Sequence, residues 1–195
     1  MTADLLEQAA TIRYAYKASL IGHAHQFELT ADGLSWRAAG RADVWRYGDI
    51  SAVRLSYRPV SMQAQRFRAD ISHTGGGRLA VISTSWQTAA LMAPQDSEYR
   101  AFILALHARM AGAGAKALLS GGLSPALYAI GLILVALLAA GMATLFVRAL
   151  LTGEFGGALF LVGFAALFGW QVGGFIRRNR PLTYSFDQIP KALLP

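Results

Sequence analysis

The chain has 195 residues, 54% of them hydrophobic, and 18 Lys/Arg against 11 Asp/Glu give a formal net charge of +7. It has no cysteine, which excludes disulfides, thiolate nucleophiles and Cys-ligated zinc. The charge is unevenly spread: residues 1–116 hold most of it, as a water-soluble domain would, and Ala117 to Val147 holds none.

In chain order, the opening MTADLLEQAATIRYAYK places acids first and has no apolar h-region, so residues 1–12 are expected to be an N-terminal segment and not a secretory signal. Residues 26–84 alternate strand-like runs with turn signals. HQFELT ends at the hairpin pair Asp32-Gly33; LSWRA, VWRY, ISAVRLSYR and RFRADIS follow, and the glycine turn HTGGG (73–77) leads into RLAVIST. Short strands at this spacing predict a small antiparallel barrel or sandwich. Tyr99, Phe102, Ile103, Leu106 and Met110 then form one apolar stripe at helical spacing, with Asp96 or Ser97 as the cap and Gly112 and Gly114 as the stop. Residues 112–124 are expected to be a flexible linker.

The stretch FELTADGLSWRAAGRADVWRYGDISAVRL resembles the bacterial PH-like domains. These tend to show an L-T-x-x-G-L hairpin, here Leu29, Thr30, Gly33 and Leu34. An apolar-aromatic pair follows, here Val44-Trp45, and then D-I-x-x-V-x-L, here Asp49, Ile50, Val53 and Leu55. SEYRAFILALHARM is similar to the PH capping helix, and the likeness covers residues 13–111. The resemblance implies an α+β fold: a small antiparallel PH-like split β-barrel with a C-terminal capping helix. It also implies a recurring bacterial layout in which a two-helix transmembrane hairpin follows such a domain. It carries no catalytic residues to this sequence. Fifteen arginines against three lysines, with much Ala and Gly, fit a GC-rich bacterial genome.

Strand side chains alternate faces. Val53, Leu55, Tyr57, Phe67, Ala69 and Ile71 are expected inside; Arg54, Ser56, Arg58, Arg66, Arg68 and Asp70 are expected outside. Arg54, Arg58, Arg66 and Arg68 would then share one outer face, with Asp70 or Asp43, solvent or an anionic ligand compensating the repulsion. They are the candidate contacts to lipid headgroups or to an acidic protein partner, the alternative being a solvated outer face.

Two uncharged segments, 125–147 and 155–176, each exceed the roughly 20 residues that cross a ~30 Å hydrocarbon core. The short link 148–154 makes them an antiparallel hairpin. Its tip has Arg148 and Glu154, whereas Lys116, Arg177, Arg178, Arg180 and Lys191 lie on the other side. Both termini are therefore expected in the cytoplasm, at a bacterial inner membrane. Arg177, Arg178 and Arg180 are the juxtamembrane anchor of the segment 177–195. Ala165, Gly169 and Gly173 on one helix, and Ala136, Ala140 and Thr144 on the other, recur at four-residue spacing. They are expected to pack the hairpin on itself, or alternatively to form a homo-oligomer seam. No ionisable residue lies within a span, which disfavours transport. The tail PLTYSFDQIPKALLP has scattered apolar residues and is expected to lie on the membrane, dock on a partner or stay loosely ordered.

His23 and His25 have no carboxylate at a companion spacing, and no phosphate-loop, nucleophile-elbow or zinc-protease motif occurs. The expectation is accordingly no enzyme, no cofactor, no metal and no nucleic-acid partner. The partners expected are membrane lipids and a protein or integral membrane complex.

Overall fold

Alternating apolar residues set the strands, and the computed structural model describes residues 11–19, 21–59, 65–88 and 91–195. It is α+β and divides into two units: one runs to Gly121 and includes Leu182–Pro195, the other is Gly122–Pro181.

In the first unit, β1 (Ile12–Tyr16), β2 (His25–Leu29), β3 (Leu34–Ala38) and β4 (Arg41–Trp45) form an antiparallel sheet in that order. A 3-10 turn leads into β5 (Ile50–Tyr57), which pairs antiparallel with β6 (Phe67–His73), and β6 pairs with β7 (Arg78–Ile82). A hairpin of β8 (Thr84–Thr88) and β9 (Leu91–Pro94) precedes α1 (Asp96–Gly112). Of the expected inner residues, Val53, Leu55, Phe67, Ala69 and Ile71 are buried and Tyr57 is half-buried against the core, and the whole helical stripe from Tyr99 to Met110 is buried. Ser56, expected outside, is also buried.

Among the described residues no ladder closes the two sheets into a barrel. Two tyrosines of β1 span the gap to the edge of β7: the Tyr14 hydroxyl donates to the Ile82 carbonyl (2.6 Å) and the Tyr16 hydroxyl to the Ala80 carbonyl. Burial pushes both hydroxyls up, Tyr16 to about 12, so both remain protonated donors. Edge carbonyls that a strand would otherwise satisfy are met by side chains instead.

The L-T-x-x-G-L hairpin has a local cause. Thr30 Oγ1 both donates to the Gly33 carbonyl (2.9 Å) and accepts from the Gly33 N–H (3.2 Å). A Cβ on Gly33 would collide with the Trp45 carbonyl, so only glycine lets β4 approach.

Residues 112–124, expected to be a flexible linker, hold a further strand. β10 (Leu118–Gly121) pairs parallel with β5, and it is joined antiparallel by β11 (Leu182–Thr183) from beyond both long helices. Gly121 and Leu182, where the chain leaves and re-enters this unit, are register partners. The tail then packs onto its own unit. Leu193 and Leu194 are buried in the core, with Tyr184, Phe186 and Ile189 against it, and Arg100 Nη1 donates to the Pro195 carbonyl (2.8 Å). His107, fully inside α1, donates from Nδ1 to the Ile103 carbonyl (2.7 Å), so its Nε2 accepts from the Tyr184 hydroxyl (3.0 Å).

The second unit is a helical hairpin. α2 (Pro125–Leu151) starts on a Ser124 cap with Pro125 in its first turn, and α3 (Phe155–Arg178) follows a short turn. At 1.5 Å per residue both exceed 30 Å, and both are long and apolar enough to cross a membrane, with mean hydropathies of 2.6 and 1.8 in their most apolar windows and none of those windows buried. The half-buried positions on α2 are Tyr128, Gly131, Val135, Met142, Phe146 and Ala149; on α3 they are Leu161, Phe168, Val172, Phe175, Ile176 and Arg178, and Ala158 is buried. Large and small side chains therefore share the covered positions. A Cβ added at Gly169 or Gly173 would meet nothing within 4 Å, so neither marks a close backbone approach. At the open end of the hairpin the Leu123 N–H donates to the Asn179 carbonyl (3.0 Å). There Gly122, at φ +80°, sits where a Cβ would strike the Asn179 and Arg180 carbonyls.

Two outcomes follow from the tail. Leu193→Ala in the full-length chain lowers the stability of the first unit by about 2–5 kcal/mol, read from denaturant unfolding followed by tryptophan fluorescence. An unchanged midpoint contradicts the packing described. Burial holds His107 below the usual histidine value of 6.5, so between that lowered value and 6.5 only the unfolded chain takes up the proton. Stability is thus full above about pH 6.5 and declines as pH falls through that window. His25 is shifted the same way by burial and adds to the decline. His107→Gln flattens the slope of unfolding midpoint against pH between 7 and 5; an identical slope contradicts it.

Candidate anion-binding face

The ladders fix which side chains stand together on the outer face of the five-stranded sheet. Across β10, β5, β6 and β7 one row is Leu118, Ala52, Ser72, Arg78 and the next is Ser120, Arg54, Asp70, Ala80. A third row is Ser56, Arg68, Ile82, and past the strand ends the Arg58 N–H donates to the Arg66 carbonyl (2.7 Å). The register therefore splits the four arginines read from sequence into two pairs. Arg54 stands opposite Asp70 and Arg68 opposite Ser56, and only Arg58 and Arg66 face each other as like charges.

Asp70 is the compensating acid, and Asp43 is not, since it accepts from its neighbour's Val44 N–H on the other sheet. Arg68 gives Asp70 Oδ1 both Nε (2.8 Å) and Nη2 (2.6 Å), and this pair raises the guanidinium's proton affinity against the opposing effect of burial. Arg54 Nε reaches only Ser120 Oγ, at 3.4 Å. Arg66 fares worse. Burial lowers its pKa, with Arg68 and Arg58 adding to the shift, and its Nε is buried with no hydrogen-bond partner among the described residues.

Arg78 is the member that sequence reasoning missed. Its signal was the glycine turn 73–77, whose register places Arg78 beside Ser72. Arg54, Arg68 and Arg78 stand around a groove of about 400 Å³ with Asp70, Ser72 and Ser120, and short Ala52 and Ala80 leave the space between them. Arg58 and Arg66 do not line it.

The other candidates lie apart. Arg177 and Arg178 close α3 and Arg180 follows it, with Asn179 between them buried. Ala165 and Gly169 line an apolar groove of about 360 Å³ between α2 and α3, whose α2 side includes Ala139, Ala143, Met142 and Phe146 but neither Ala136 nor Ala140. His25 Nδ1 is 3.1 Å from the Tyr16 hydroxyl, and among the described residues no three His, Asp or Glu are grouped to hold a metal. Comparison with protein-family models, with curated proteins and with solved structures finds no match for this chain.

Replacing the two central arginines separates their roles. Arg66→Met raises the unfolding midpoint, because it removes a half-buried charge that stands beside two like charges. Arg68→Met lowers it by leaving Asp70 unpaired, an effect of up to about 1 kcal/mol at this partly exposed pair that shrinks in high salt. Equal shifts in the two variants contradict the assignment.

Proposed function

We propose that this chain is a non-catalytic integral membrane adaptor. In this reading the first unit is a PH-like module, its four-stranded sheet, its β5–β7 sheet and α1 following the order that the sequence resembles. The module lies at the cytoplasmic face of a bacterial inner membrane, carried by α2 and α3 as two spans, and its basic sheet face meets anionic headgroups or an acidic protein partner. The supporting observation is the basic groove formed by Arg54, Arg68 and Arg78, with only Asp70 to offset them. Spanning is supported by two long helices whose apolar side chains have no protein cover: Leu137 is 65% exposed, Phe160 71% and Trp170 80%. Such surface costs roughly 25 cal/mol per Å² in water and nothing comparable in hydrocarbon. Orientation is supported by Arg177, Arg178 and Arg180 at one end of the hairpin against Arg148 and Glu154 at the other.

The second reading is an accessory subunit of a larger membrane complex. The apolar groove between α2 and α3 favours it. The tail no longer does, because its apolar residues are spent on the core of the first unit.

Purification of the full chain in mild detergent, with mass spectrometry of bound proteins and lipids, separates the two. The adaptor reading predicts that Arg54→Gln/Arg68→Gln/Arg78→Gln, with its folding checked by unfolding midpoint, loses acidic protein or anionic lipid that the parent retains. The same bound set in both chains contradicts it, and a stoichiometric integral partner retained by the variant supports the accessory subunit.

A further inference from the structure

The groove on the sheet has a definite charge balance. Three guanidinium groups surround it and one carboxylate sits within it, a net of +2. Arg78 has no ion pair among the described residues, and Arg54 is held only by its long contact with Ser120. Arg68 commits Nε and Nη2 to Asp70, and its Nη1 lies outside that pair. Ser72 and Ser120 supply hydroxyls at the rim, and Ala52 and Ala80 keep the floor low. A volume of about 400 Å³ lies within the range of small-molecule clefts, roughly 300–1,000 Å³.

We infer that this groove binds a phosphate monoester dianion, held between Arg54, Arg68 and Arg78. A net of +2 is matched by a group carrying close to two negative charges near neutral pH, and three guanidinium donors match three terminal oxygens. A phosphodiester headgroup offers one charge and two free oxygens, and leaves one arginine of the three without an acceptor. The same chemistry is presented by a phosphatidic-acid headgroup and by free phosphate. The inference rests on the basic-face reading of the proposed function and narrows it to one ligand class.

A ligand that binds only the folded chain raises its unfolding midpoint in proportion to ln(1 + [L]/Kd). The test is thermal unfolding of the detergent-solubilised full chain at pH 8 with dihexanoyl phosphatidic acid, dihexanoyl phosphatidylglycerol or inorganic phosphate at constant ionic strength. The midpoint rises with phosphatidic acid, with phosphate, or with both. Phosphatidic acid alone assigns the site to lipid, phosphate alone to a soluble monoester. Arg78→Gln weakens the apparent affinity by on the order of tenfold to a hundredfold, whereas Arg37→Gln, the same charge change on the other sheet, behaves as the parent. No rise with either phosphate ligand overturns the inference, as does a rise that survives in Arg78→Gln. An equal rise with phosphatidylglycerol also overturns it, while leaving the broader anionic-surface reading in place.

Discussion

Leu193 lies buried in the same core as Phe102 and Leu106, yet two apolar helices separate it from them along the chain. The first unit is therefore not finished when α1 is made. Its core is closed by Leu182–Pro195, and the two-residue strand β11 pairs with β10 at the point where the chain left it. This contact imposes an order of events. The tail can dock only after α2 and α3 have been synthesised, so completion of the first unit's core is tied to the fate of the hairpin. It also fixes both ends of the hairpin to one folded unit, since Gly121 and Leu182 are neighbours in a ladder.

The basic face shows how register decides what composition leaves open. Four arginines on two adjacent strands would repel one another by a few tenths to about 1 kcal/mol per facing pair. The pairing places Arg54 against Asp70 and lets Arg68 fold along its own strand onto the same carboxylate, and it confines the direct repulsion to Arg58 and Arg66. What remains is a groove with a surplus of positive charge and a floor of alanine. Electrostatics alone did not build it: the side chains that make it concave are the small ones, Ala52 and Ala80.

The sequence was legible where a period ran long enough. Alternation in β5 and β6, the helical stripe of α1 and the two long apolar runs all came through, because each repeats one rule over several turns or residues. The strands β10 and β11 and the hairpin β8–β9 were missed for the opposite reason. β9, β10 and β11 span two to four residues each, too few to show a period, burial in β8 does not alternate, and β10 and β11 pair with each other across the hairpin. Tyr184, Phe186, Ile189, Leu193 and Leu194 follow neither a period of two nor one of 3.6, so their burial was visible only as unexplained greasiness. Small-residue spacing in the helices pointed to Gly169 and Gly173, where an added Cβ would meet nothing within 4 Å, while the covered positions mix Val135, Met142, Phe146, Leu161 and Phe168 with Gly131, Ala149 and Ala158. Ser56 kept its predicted parity and was buried all the same, since parity assigns a face and says nothing of what covers it.

The claim on which the rest depends is that α2 and α3 cross a bilayer while the chain on both sides of them stays in one compartment and in one fold. Because the chain has no cysteine, single engineered ones report on this directly: Thr152→Cys at the turn of the hairpin, Asp32→Cys in the first hairpin of the domain and Asp187→Cys in the tail. Intact cells treated with a membrane-impermeant maleimide are predicted to label Thr152→Cys, and to label Asp32→Cys and Asp187→Cys only after permeabilisation. Labelling of Asp32→Cys and Asp187→Cys from opposite sides, or of all three only after lysis, would contradict it.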